Sequence, residues 1–135
     1  MAHIGTAAVG LVLTANGAGI SPSFQTYTPQ TLLAWTNQSG NFNAASNNGY
    51  IATAALTATL PASPSNGDLV AVIVDTTGSV VIAANLLQFI RIDGNVSLVV
   101  GTATSTARGN AVTLVYNSSD LTWIAQSFVT AWTVV

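Results

Sequence analysis

The six residues Leu69–Val74 read Leu-Val-Ala-Val-Ile-Val and are apolar at every position. Successive side chains of an extended strand point to opposite faces, so Leu69, Ala71 and Ile73 share one face and Val70, Val72 and Val74 the other. Neither face offers water a polar group. A run of six is far short of the roughly 20 residues that span a bilayer as a helix, and Val and Ile favour the pleated strand. The run therefore predicts a central strand covered on both sides: by its own core on one, and by a second layer, either another subunit or a helix, on the other.

Other segments repeat this strand chemistry at short intervals. Residues 50–53, 55–60, 68–75, 79–83, 89–92, 96–100, 111–116, 123–127 and 131–135 are rich in Val, Ile, Thr and aromatics. Between them lie Asn66-Gly67, Thr77-Gly78, Asp93-Gly94-Asn95, Arg108-Gly109-Asn110 and Asn117-Ser118-Ser119-Asp120, residues that accept tight or left-handed turns. Short strands at this spacing predict an all-β fold, an antiparallel sandwich or barrel-like module over residues 49–135. The one helix-like stretch is 29–35, where Thr28 offers a cap and Pro29 suits the first turn.

Residues 1–48 are dominated by Gly, Ala, Ser, Asn and Gln and read as an N-terminal extended segment that cannot build a core alone. Its apolar part, residues 9–14, needs a strand edge to pair with, in its own domain or in a neighbouring chain. Val9, Leu11 and Leu13 are the candidate assembly residues. The apolar stretch 4–15 lacks the preceding basic residues of a secretion signal, and the irregular spacing and sparse aromatics argue against a membrane β-barrel.

Composition then bounds the function. Only 4% of the 135 residues are charged, with neither lysine nor glutamate, while 50% are hydrophobic; soluble domains carry about 25% charged residues. A chain so poor in charge has little to hold copies apart, which predicts a homo-oligomer. Two arginines give no electrostatic footprint for nucleic acid. No cysteine is present, which excludes disulfides, thiolate nucleophiles and Cys-ligated zinc.

The titratable residues do not assemble into a catalytic pattern. His3 is the sole histidine, and Asp68, Asp75, Asp93 and Asp120 all fall at turns or strand ends, where Asp bonds nearby backbone amides. No nucleophile elbow, phosphate loop or calcium loop occurs. The expectation is no enzyme, no cofactor and no metal. Arg91, between Ile90 and Ile92, needs a carboxylate: Asp93, Asp75 or one from another chain. Trp35, Phe42, Tyr50 and Trp132 stand near Asn, Gln or Thr in ways that could present a stacking face to a sugar, Trp35, Tyr50 and Trp132 being the candidate ligand-stacking residues, with core or interface packing the competing role.

Residues 5–25, Gly-Thr-Ala-Ala-Val-Gly-Leu-Val-Leu-Thr-Ala-Asn-Gly-Ala-Gly-Ile-Ser-Pro-Ser-Phe-Gln, resemble a segment of bacteriophage tail-fibre and tail-associated proteins, in which a Gly-x-Val-Leu-Thr-x-Asn-Gly core precedes a Pro-x-aromatic step. Leu11 replaces a residue that is often polar there, and Phe24 one that is often Trp. Gly49-Tyr50, Leu60-Pro61, Asn66-Gly67-Asp68, Gly101, Gly109-Asn110, Leu114, Trp123 and Trp132 are similar to a β-module of phage tail and bacterial surface proteins. The resemblance implies a structural virion component in the tail, commonly a homotrimer. Its implied partners are its own copies, other tail proteins and, where it binds a receptor, a host cell-surface glycan, with no nucleic acid and no membrane insertion. Two alternatives remain open from the residues themselves: a self-polymerising extracellular or cell-surface filament subunit that inserts its N-terminal strand into the next copy, and a carbohydrate-binding tip.

Overall fold

The computed structural model describes residues 11–14, 18–19, 21, 23–26 and 33–135. They belong to two compact units, Met1–Leu32 and Leu33–Val135. In the first, β1 (Leu11–Thr14) pairs antiparallel with β2 (Ser23–Thr26), Leu11 opposite Thr26 and Leu13 opposite Phe24. The apolar N-terminal run thus finds a partner strand within its own chain; Val9 lies outside the described residues.

The second unit consists of two open sheets with no helix among the described residues. Residues 29–32 of the expected helix lie outside the described residues, and Trp35 falls in a strand, β3 (Ala34–Gln38). The chain then alternates between sheets. β3, β5 (Asn48–Ala52) and β7 (Leu69–Val74) are neighbours in one, and β4 (Phe42–Asn43), β6 (Leu56–Thr59) and β8 (Val80–Ala83) in the other. Each step to a neighbouring strand passes through the opposite sheet, so these neighbours run parallel, the intervening strand serving as the crossover that a parallel pair requires.

The remaining strands are β9 (Phe89–Ile92), β10 (Asn95–Val96), β11 (Thr102–Ser105), β12 (Ala111–Asn117), β13 (Thr122–Val129) and β14 (Thr133–Val134). They complete a seven-stranded sheet ordered β10-β9-β13-β12-β7-β5-β3 and a five-stranded sheet ordered β14-β11-β8-β6-β4. Apart from the parallel pair β13 and β9, these additions are antiparallel. The sandwich is therefore mixed rather than antiparallel, because a turn-forming residue marks where the chain bends and not which sheet it enters next. The β9–β10 hairpin turns on Asp93 and Gly94, both at positive φ, the backbone that a two-residue hairpin loop matched to strand twist demands.

Four strands have no counterpart in the sequence reading: β2, a Ser-Phe-Gln-Thr run, β3 and β4, whose Asn and Gln content reads as loop, and β11, a Thr-Ala-Thr-Ser run. Conversely, residues 97–100 of an expected strand lie outside any strand, and Val100 sits at a φ of 59°, which ends extended structure.

The core fills the space between the sheets. Tyr50, Val70, Val72, Val74, Ile90, Ile92, Val112, Leu114 and Trp123 face inward from one sheet, and Leu56, Ala58, Val80, Ile82 and Ala103 from the other. Trp123 is fully buried, its ring 5.1 Å from that of Tyr116, and its Nε1 donates to Gln88 Oε1 at 3.0 Å. Gln88 is itself buried; its Oε1 also accepts from Asn85 N, and its Nε2 donates to Pro61 O. Gln88→Leu removes all three bonds and leaves the indole N–H unpaired in the core, so chemical denaturation should show a loss of about 2–3 kcal/mol. A loss within measurement error would mean that the indole finds another acceptor.

Candidate interaction surfaces

Strand alternation that turns Val70, Val72 and Val74 inward turns Leu69, Ala71 and Ile73 outward, and register extends this pattern across the sheet. One row carries Leu69, Val115, Ile124 and Arg91, and another Ile51, Ile73, Ala111 and Val129. Between them runs a row of small residues: Gly49, Ala71, Thr113 and Ser127. Val129 is exposed, Ala71 is buried, and the other aliphatic residues of these rows are partly exposed. The outer face of the seven-stranded sheet is thus mostly aliphatic.

Trp35 stands at the end of the small-residue row, opposite Gly49. A Cβ on Gly49 would lie 2.6–2.8 Å from the ring atoms Cδ2, Cε3 and Cε2 of Trp35, so the missing side chain is what lets the indole lie down on the sheet. The Trp35 side of this pair is 47% exposed. The other two candidate stacking residues are placed differently. Tyr50 is 6% exposed, packs its ring 4.5 Å from Phe42 and accepts a hydrogen bond from Ala45 N at its hydroxyl. Trp132 is 7% exposed and donates from Nε1 to Ala111 O. Both rings belong to the core cluster, and only Trp35 offers a broad surface to solvent.

At the β9 end of the same sheet, Leu86, Leu87, Leu98, Val99, Val100 and Leu121 form an exposed apolar corner, with Leu98 at 77%. Hydrogen bonds draw the three loops together: Val100 N donates to Gln88 O, and Phe89 N to Leu121 O. Leu87, Val100 and Leu121 all have φ between 56° and 65°, a region that costs bulky side chains on the order of 1–3 kcal/mol each. The fold holds apolar side chains outward here against both solvent and backbone preference.

Charge is confined to small local roles. Arg91 pairs with Asp120 at 3.7 Å and Arg108 with Asp75 at 3.4 Å, all four side chains well exposed. The partner of Arg91 is therefore Asp120 rather than Asp93 or Asp75, because β9 runs parallel to β13 and lies beside the turn that precedes it. Asp68 accepts from Ser65 N at 2.9 Å and from Asn47 Nδ2. Hydrogen bonds from the Ser46 side chain, then from the Ser65 backbone, hold its carboxyl below the usual range. Among the described residues no three of His, Cys, Asp and Glu lie close enough to hold a metal ion, and no helix is long and apolar enough to cross a membrane. His3 lies outside the described residues.

The outer face of the five-stranded sheet has the opposite chemistry. Thr57, Val81, Thr104 and Thr133 form one row and Asn43, Thr59, Ala83 and Thr102 the next. A groove of about 220 Å³ at the β4 edge is lined by Asn41, Phe42, Asn43, Thr57 and Thr59. The sequence reading does not single out these threonines; the signal was the Thr-Ala-Thr alternation at 57–59 and 102–104.

No family model matches the chain, and no curated protein matches it. Among solved structures, it is similar to a chain in one described as "Structure of a chaperone-substrate complex", with 20% identity and a TM-score of 0.45 over 65% of this chain and 14% of that one. The present chain thus spans about one seventh of that chain's length.

Two outcomes follow from these surfaces. Gly49→Ala should lift the Trp35 indole, redden its fluorescence and lower stability by about 1 kcal/mol; in a Trp35→Ala background the same change should cost nothing further. Equal costs in both backgrounds would show that the indole does not rest on Gly49. For Asp68, a depressed folded value gives stability present above the usual carboxylate range and lost as pH falls through the depressed value. Thermal melts should show a small loss setting in below about pH 4, softened by solvent screening, and Asp68→Asn should flatten that part of the profile.

Proposed function

We propose that this chain is a structural subunit that self-associates through the outer face of its seven-stranded sheet, as a component of a phage tail fibre or similar appendage in the virion tail. The observation that carries the reading is the aliphatic outer face itself. Leu69, Val115 and Ile124 in one row and Ile51, Ile73 and Val129 in another, with Gly49, Ala71, Thr113 and Ser127 between them, make this surface mostly aliphatic, and surfaces of this kind mark interaction sites. A charged partner finds little to pair with there, since the rows carry one ion pair, Arg91 with Asp120. A second copy supplies a matching apolar face and, in that pair, both signs of charge. Trp35 has the properties of an anchor residue, a large ring fixed in position with exposed area to bury. The apolar corner of Leu86, Leu87, Leu98, Val99, Val100 and Leu121 is a second surface of the same kind. The tail-fibre resemblance of residues 5–25 favours a trimer, with its own copies and neighbouring tail proteins as partners, and the reading assigns no reaction.

Native mass spectrometry and sedimentation of the full chain test this. The expected result at micromolar concentration is a species of three chains, and Ile73→Asp should convert it to folded single chains by placing a charge in the contact. A folded species of 13.7 kDa in the unaltered protein overturns the reading. A ladder of masses growing with concentration replaces the closed oligomer by an open filament.

A further inference from the structure

The apolar corner at the β9 end of the seven-stranded sheet differs from the sheet face in shape and in origin. Three loops build it: residues 85–88, residues 97–101 and the turn that precedes β13. Leu86 and Leu98 stand furthest out, at 72% and 77% exposed. Strand alternation puts Ile73 on an outer face as a by-product of burying Val72 and Val74, but no such pattern governs a loop. Leu87, Val100 and Leu121 also hold a positive φ, a backbone that glycine or asparagine accepts more readily. Neither the fold nor water favours large apolar side chains there.

Hydrogen bonds within the corner set how far it can leave water. Leu86 N donates to Asn85 Oδ1, Gln88 N to Asn85 O, Phe89 N to Leu121 O, Val100 N to Gln88 O and Gly101 N to Leu98 O. The Ser97 hydroxyl donates to Leu98 O. Much of this backbone is thus already paired, the condition for entering an apolar medium. The N–H groups of Leu87, Leu98 and Val99 bond to no other described residue. In hydrocarbon they would be costly, but the ester and phosphate oxygens at a bilayer surface can accept from them. That fixes a shallow depth, with side chains among the acyl chains and amides among the head groups.

Size and composition separate this occupant from a protein. A stable protein interface takes about 20–30 residues a side, and the corner presents six large apolar ones on projecting loops. Leu and Val are under-represented among the residues that carry protein–protein binding energy, whereas their transfer into a membrane is favourable. The charges beside the corner, Asp120 next to Leu121 and its partner Arg91, pair with each other at 3.7 Å. They cancel, so an anionic surface gains nothing there. Zwitterionic lipid is the complement, with apolar chains beneath and balanced charge above.

We propose that this corner inserts its leucine and valine side chains into the interface of a zwitterionic bilayer, anchoring the chain to a lipid surface without spanning it. The inference gives the corner a different partner from the sheet face and does not rest on self-association. It departs from the tail-fibre resemblance, which implies no membrane insertion. One corner binds weakly, and an assembly that presents several to the same surface binds more tightly.

Flotation of the full chain with phosphatidylcholine vesicles tests the proposal. The chain should float with the vesicles equally at low and high salt, and adding phosphatidylserine should bring no gain, since no charge drives the contact. Leu86→Ser and Leu98→Ser should each lower the partition coefficient about tenfold and leave the oligomer mass unchanged. Because the chain has no cysteine, Leu98→Cys can carry a single environment-sensitive dye, whose emission should shift to the blue when vesicles are added. The same dye on Thr106→Cys, in an exposed loop at the other end of β12 from Leu121, should not respond. Leu87→Asn relieves a positive φ, so that variant should unfold at higher denaturant concentration yet float less. Failure to float with phosphatidylcholine, undiminished flotation of the Leu86→Ser, Leu98→Ser double variant, or binding confined to anionic vesicles and lost in salt overturns the proposal. So does a fall in oligomer mass in the double variant, which makes the corner a contact between copies.

Discussion

The constraint on which the rest of this fold depends is that each inward side chain must be covered by a strand from the opposite sheet. From β3 to β8 the chain changes sheet at every step, so neither sheet is complete until its counterpart is laid down. Val70, Val72 and Val74 are sealed only because Leu56, Ala58, Val80 and Ile82 come from strands before and after them in the chain. Such winding makes the core a product of non-local contacts, which cost loop-closure entropy before they gain burial. Trp123 fastens this arrangement, with its indole bonded to a glutamine that also bonds backbone atoms at Asn85 and Pro61.

A two-sheet sandwich has two outer faces, and here they differ in kind. The strand period forces the difference to be written residue by residue: an inward Val at 70, 72 and 74 leaves 69, 71 and 73 free to be aliphatic, while an inward Leu56 and Ala58 leave 57 and 59 free to be threonine. Threonine keeps the β-branched shape that suits a strand while presenting a hydroxyl. The five-stranded sheet can therefore be wet on its outside without loss of strand preference. The seven-stranded sheet retains Leu, Ile and Val where Thr would serve the fold equally well, and the fold itself gives no reason for that choice.

The strands from β5 onward were largely legible, because alternation of Val, Ile, Leu and Thr between Gly, Asn and Asp turns follows directly from pleat geometry. Leu69–Val74 also revealed that an outer face would be apolar. Sheet membership was not legible, since a turn such as Thr76-Thr77-Gly78 has the same composition whether it closes a hairpin or carries the chain to the opposite sheet. β3 and β4 escaped for a related reason. They are edge strands whose side chains are exposed or half-buried, so no apolar pattern sets them apart, and their order comes from pairing with β5 and β6. The placement of aromatics was half legible. Tyr50, Trp35 and Trp132 have similar polar neighbours in sequence, but only register shows that Trp35 faces outward over a glycine while Tyr50 points into the core.

The scarcity of charge becomes intelligible once the two faces are considered together. Ion pairs at an interface are weakened by salt and change with pH through their carboxylates, whereas contact between aliphatic rows depends on neither. With both ion pairs exposed and each of them long, at 3.4 and 3.7 Å, little of this unit's cohesion rests on titratable groups. A surface built from Leu, Ile, Val, Thr and Asn keeps its properties across a wide range of ionic conditions. The cost is that nothing long-ranged keeps copies apart: the aliphatic face of the seven-stranded sheet gains nothing from contact with water, whereas the hydroxyl face of the five-stranded sheet can hydrogen-bond to it.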